Sequence, residues 1–161
     1  MGGSASALYV RGTTVDPARR FAERQRGTPA WERFVASIAP HQRELLEHPI
    51  KRSRWYDLRL YASVIDAAAR HLSPDDQDGF LTDLGRFVLQ DGVNSLYRAY
   101  FAIASPGFVL RGSALLWRLF FKGSRLKVIG RRGRTVHVAV QGAAFCSHAL
   151  CVSISGGMLA A

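Results

Sequence analysis

SRLKVIGRRGRTVHVAV, residues 124–140, is the stretch on which the fold class turns. Residues 124–129 and 135–140 alternate between apolar and polar, the period of two that sets one face of a strand toward a core. Between them Gly130-Arg131-Arg132-Gly133-Arg134 reads as a basic turn. It is the only convincing strand pair in the chain, so it separates a mixed helix-and-strand reading from an all-helical one. Downstream, residues 146–161 are small and apolar, with Gly156-Gly157 inside them.

Upstream the period changes to that of helices. Ser105-Pro106 starts a helix that runs to Lys122, stops at Gly123 and is apolar almost all round, as a central core helix would be. Before it, Ser73-Pro74-Asp75-Asp76 opens a helix with its acids near the positive end of the dipole. Phe80, Leu84, Phe87 and Val88 make its buried stripe, and Gly85 permits a neighbour to approach closely. Residues 57–72 form the clearest amphipathic helix, with Leu58, Tyr61, Ala62, Ile65, Ala68, Ala69 and Leu72 on one face. Residues 41–54 read as a short helix and then a loop. Thr28-Pro29 starts a helix carrying Trp31, Phe34, Val35 and Ile38, and Asp16-Pro17 starts another, as N-cap and first-turn proline, that ends at Gly27. Residues 8–10 read as a short strand and residues 1–7 as a flexible tip, leaving 8–161 as one domain.

Composition narrows function without naming it. The 161 residues are 48% hydrophobic and 21% charged, ordinary for a globular chain, but the formal charge is +10. All twelve acids lie at or before Asp91, while the remainder carries nine Arg and Lys. Such an excess favours anions as partners, although arginines scattered along a chain usually mark solvated surface. No opening segment has the pattern of a signal peptide, and the longest apolar run falls short of the roughly twenty residues that span a bilayer. With two cysteines and no disulfide framework, a reducing cytoplasm is expected.

The chemistry-bearing side chains form no complete constellation. Cys146, His148 and Cys151, with His137, are compact enough to ligate zinc but lack an assured fourth ligand, so no metal site is assigned. A cysteine nucleophile there finds no local carboxylate to orient its base, and no catalytic residue is assigned. Phosphate-loop, dinucleotide and zincin motifs are absent from the sequence. The arginines of the 130–134 turn could clamp phosphates, yet the strands beside them offer no aromatics, and nucleic acid is not expected as a partner. Tyr97, Tyr100, Phe101, Phe108, Trp117, Phe120 and Phe121 either fill a core or enclose an elongated apolar cavity, and the residues leave both readings open.

The order of short motifs Val10-Arg-Gly12, Gly27 with Trp31, Trp55-Tyr56-Asp57, Leu84-Gly85, Leu96-Tyr97-Arg98, Ser105-Pro106, Leu116-Trp117, Phe121-Lys-Gly123 and Cys151 before Gly156-Gly157 resembles a family of uncharacterised proteins described from myxobacteria. It is distantly similar to 4-vinyl-reductase-type and haem-nitric-oxide-binding domains, which share a fold with a vesicle-tethering transport component. The resemblance implies an α+β domain: a helical layer on a small antiparallel sheet, often dimeric and often enclosing an apolar ligand site. Haem is disfavoured, because no His occurs between His71 and His137 and the propionate-holding Tyr-x-Ser-x-Arg pattern falls at Phe145-Cys-Ser147-His-Ala149. The chain also stops within its last apolar helix where such relatives continue, so a shortened C-terminus is expected.

The reading is therefore a bacterial, cytoplasmic α+β domain that binds an apolar or anionic small molecule, without catalysis and without a cofactor. Phe101, Trp117 and Phe120 are the expected walls of the site, Arg98 and Arg118 its headgroup contacts, and Cys151 part of its floor. The alternative is an interaction module that dimerises through the apolar C-terminal half. A nucleic-acid binder and a reductase stand behind both.

Overall fold

The computed structural model describes residues 7–92, 112, 114–115, 117–133, 135–142 and 147–159. Arg98, Phe101, the start of the apolar helix and Cys146 lie outside the described residues. Strand β1 (Tyr9–Arg11) is the centre of a three-stranded sheet, flanked antiparallel by β2 (Trp55–Asp57) and β3 (Phe121–Lys122). Val10 stands opposite both Tyr56 and Phe121, and its side chain is fully buried. Two helices grow directly from this sheet: α1 (Gly12–Arg26) from β1 and α4 (Leu58–Leu72) from β2.

The start of α1 differs from the expected Asp16-Pro17. The amides of Gly12 and Thr13 donate to the carbonyls of Arg54 and Arg52, so the loop before β2 satisfies the first helical donors and lets the helix begin at the strand's end. Pro17 consequently lies inside the helix. The segment Trp55-Tyr56-Asp57 is likewise a strand, and only its last residue has the expected capping role, the Asp57 carboxylate accepting from the Leu60 amide at 2.9 Å. Helix α2 (Thr28–Ser37) starts at Thr28-Pro29 as read, and α3 (Pro40–Glu47) starts at Pro40, one residue ahead of the 41–54 segment in which a short helix is expected.

Helix α4 is the centre of the described core. It buries Leu58, Tyr61, Ala62, Val64, Ile65, Ala68, Ala69 and Leu72 and touches α1, α2, α3, α5 (Gln77–Gly92) and the C-terminal helix α6 (His148–Leu159). The added burial of Val64 widens its apolar face beyond the stripe expected, because helices pack on two of its flanks. Phe21 of α1 meets Phe80 and Phe87 of α5 at centroid distances of 5.4 and 5.6 Å, and Trp31 meets Phe34 at 5.3 Å. Together these residues form one core cluster in an α+β domain.

Helices α5 and α6 make the broadest contact between described elements. His148 pairs with Asp78 near their starts and Gly157 lies against Leu89 near their ends, so the two run parallel. They approach backbone to backbone. A methyl group at Gly85 would run into the Ser153 carbonyl, and one at Gly156 into the Thr82 backbone. Gly85 was read as a close-approach position, and α6 is the neighbour that uses it. Gly85→Ala is expected to lower stability by about 1–3 kcal/mol through overpacking, read as a shift of the urea midpoint. Gly130→Ala, which meets open space, is the control and should shift the midpoint far less.

Asp91 fastens α5 to the start of the domain. Its carboxylate accepts from Arg20 of α1 and, at 2.8 Å, from Arg52 of the loop, while Asp16 adds a 3.3 Å contact to Arg20. Partial burial alone would raise the carboxyl pKa, but the hydrogen bond and charge of Arg20 and the charge of Arg52 outweigh it and hold the group below its ordinary value. A depressed folded-state pKa lends stability above the ordinary range near pH ~4 that is lost as pH falls through the lower value. Asp91→Asn should therefore cost about 1 kcal/mol at neutral pH, a modest figure because the cluster keeps contact with water. In thermal melts its deficit against the parent should shrink as pH drops below the carboxylate range.

Candidate functional site

The C-terminal hairpin consists of β4 (Arg125–Arg132) and β5 (Thr135–Gln141). Both strands exceed the expected bounds, and the turn contracts to the positive-φ Gly133 and its neighbours, because Gly130 is taken up in β4 opposite His137. One extra residue, Ile129, enters β4 between the pairs Val128–Val138 and Gly130–His137. Residues directly opposite share a face, so Leu126, Val128, Val138 and Val140 form an apolar side that continues past the extra residue to Val136, with the position of Arg131 opposite it at the turn end. Arg125, Lys127, His137 and Gln141 stand on the other.

Only the base of the apolar side is covered. Leu126 is buried in the core cluster, and just before it the Ser124 hydroxyl accepts from the Trp117 indole N–H at 3.0 Å. Val140, directly opposite Leu126, is already 43% exposed, and farther out Val128 is 40% and Val138 38% exposed, with the extra residue Ile129 at 61%. Neither strand packs broadly on another described element, and among the described residues each pairs along one edge only. A lone two-stranded hairpin is marginal in water. Uncovered aliphatics on such an element mark a surface built for contact.

The residues expected to hold a small molecule are placed as follows. Trp117 is buried with its ring stacked on Phe121 at 4.2 Å, Phe120 is half-buried against the core, and Arg118 is exposed at the surface. Arg98 and Phe101 lie outside the described residues. Cys151 is exposed and disulfide-bonded, which corrects the expectation of cysteines kept reduced and of Cys151 in a pocket floor, and removes its thiolate from any metal set. His148 Nε2 lies 2.7 Å from Asp78 Oδ1 on the surface, and His137 is exposed on β5. A small, partly open hollow lies among the described helices, lined by Val15, Trp31, Phe34, Leu45, Tyr61 and Ile65. At about 20 Å³ it has room for one water molecule. Burial there pushes the Tyr61 phenol up from its ordinary pKa.

Two elements of this surface escape a reading of period alone. The Val128–Ile129–Gly130 shift needed the partner strand, though a glycine within a strand pattern is its signal. Strand β2 is short, but two aromatics ahead of a capping Asp were its mark. If the exposed sulfur of Cys151 is oxidised as placed, alkylation under denaturing, non-reducing conditions should add no label to the protein. Two labels per chain would show the thiols to be free. Comparison with protein-family models, with curated proteins and with solved structures finds no match to this chain.

Proposed function

We propose that the protein is an interaction module whose partner is a second copy of itself, joined through the apolar face of the β4–β5 hairpin. One observation supports this reading above the others: Val128, Ile129, Val138 and Val140 stand uncovered on a two-stranded element that needs packing to be stable. A two-fold arrangement would stack these faces on each other, so that Arg125, Lys127 and His137, which belong to the opposite faces, point away from the contact. The small-molecule reading draws on Arg98 and Phe101 outside the described residues and on a Trp117 ring that is already packed.

The compartment is part of the proposal. An exposed disulfide persists in oxidising surroundings, so the reading favours such a compartment over the cytoplasm expected from the sequence. Among the described residues no helix is long and apolar enough to cross a membrane.

Sedimentation equilibrium should show a monomer–dimer equilibrium that tightens with salt, since screening weakens repulsion between two chains of charge +10. Val138→Glu, at an exposed position, should shift the protein to monomer while its circular dichroism stays unchanged. A parent protein that remains monomeric at about 100 μM, a concentration at which even a weak contact of this size associates, would overturn the proposal.

A further inference from the structure

The outward face of the three-stranded sheet has a composition that the hairpin reading leaves unused. Val10 and Phe121 point into the core, so the alternate positions of the three strands turn outward: Tyr9 and Arg11 of β1, Trp55 and Asp57 of β2, Lys122 of β3. Register sets Arg11 opposite Trp55, and Tyr9 between Asp57 and Lys122. Tyr9 and Trp55 are therefore diagonal neighbours on adjacent strands, roughly 7–8 Å apart. Both residues are half-buried.

A cation attends each ring. The Arg11 guanidinium lies 5.3 Å from the Trp55 ring centroid and the Lys122 ammonium 5.9 Å from that of Tyr9. At the sheet's margin Arg54 stands 5.9 Å from the ring of Tyr56, whose hydroxyl accepts from the Lys51 amide. All twelve acids of the chain are among the described residues, and none forms an ion pair with Arg11, Lys51, Arg54 or Lys122. Asp57, the single acid on the face, is engaged as the cap of α4. The surface thus joins two half-buried aromatic residues to cations that no carboxylate neutralises.

We infer that this sheet face binds single-stranded nucleic acid, with Tyr9 and Trp55 as stacking platforms and Arg11 and Lys122 as phosphate contacts. Double-stranded nucleic acid and anionic lipid offer phosphate but no open base, and so would leave the rings idle. Unpaired bases use both halves of the surface, the rings taking any base by its π-face and the cations following the backbone. The guanidinium plane of Arg11 over Trp55 extends the platform, since bases stack on arginine as they do on aromatics. The notable gap in the sequence reading is that aromatics were sought on β4 and β5, whereas they stand on β1 and β2.

The test uses the intact protein and fluorescein-labelled mixed-sequence RNA and DNA strands of about 15 nucleotides, with the matching DNA duplex, followed by anisotropy at about 50 and 200 mM salt. Single strands should bind at least about fivefold tighter than the duplex, and Trp55→Leu should weaken them by roughly five- to a hundredfold without changing the salt slope. Lys122→Gln should flatten that slope by about one unit or less. Trp31 and Trp117 are buried, so quenching of indole emission by unlabelled strand should report mainly on Trp55. Should Trp55→Leu fail to fold, Trp55→Phe decides: it should keep binding within about threefold and lose the quenching. No binding at low salt overturns the inference. So does equal affinity for the duplex with no effect of Trp55→Leu, which would leave only the attraction of net charge. Trp55-dependent capture by phosphatidylglycerol-containing vesicles, with none by single strands, would assign the face to a lipid surface instead.

Discussion

The backbone contact between α5 and α6 is the constraint that ties the late part of the chain to the early part. At Gly85, Gly156 and Gly157 the two helices touch without side chains between them, close enough that a single methyl group cannot be inserted. Close approach multiplies dispersion contacts and makes them intolerant of volume change. Because α5 is in turn packed on α1 and α4, the position of α6 is set by the helical layer and not by the hairpin that precedes it. The hairpin is thereby released from structural duty. Its apolar face can be left open, since the core is closed behind it by Leu126, Trp117 and Phe121.

Electrostatics divides the molecule in the same way. Most of the acids are engaged inside the early half, on α1 with the 51–54 loop, on helix caps and on short-range pairs along single helices such as Asp66 with Arg70. Asp91 is the last of them, and two arginines claim it. Beyond it no carboxylate remains, so cations after Asp91 can be neutralised only by partners that reach back to earlier acids or that come from outside. His148 takes the first course, pairing with Asp78. Lys122 takes neither within the chain, and it lies on a ring instead.

How much of this was legible in the sequence depends on whether the deciding partner was near or far along the chain. The amphipathic stripe of α4, the Thr28-Pro29 start of α2 and the hairpin itself are local patterns, and they emerge from period and turn chemistry. The start of α1 is not local. Asp16-Pro17 has every residue-level mark of a helix start, yet the carbonyls of Arg52 and Arg54 supply a better one at Gly12. Strand β2 is similarly defined by β1, without which three residues before a helix cap have no reason to be extended. The apolar face of the hairpin could be read from alternation, but its exposure could not, because burial is a property of what arrives from elsewhere. The same holds for the aromatic sheet face, whose members come from three separate stretches.

The placement of β1 has a consequence in time. This strand is made before every other described element, and it is the middle of its sheet, with β2 on one side and β3 on the other. Its first ladder can close once Trp55–Asp57 has been synthesised, but its second waits for Phe121 and Lys122. During that interval one edge of β1 is an open template, and Val10 lacks the Phe121 ring against which it is finally buried. A growing chain of this protein therefore passes through a stage in which its helical layer is assembled around an unfinished sheet, and the last strand to join is only two residues long.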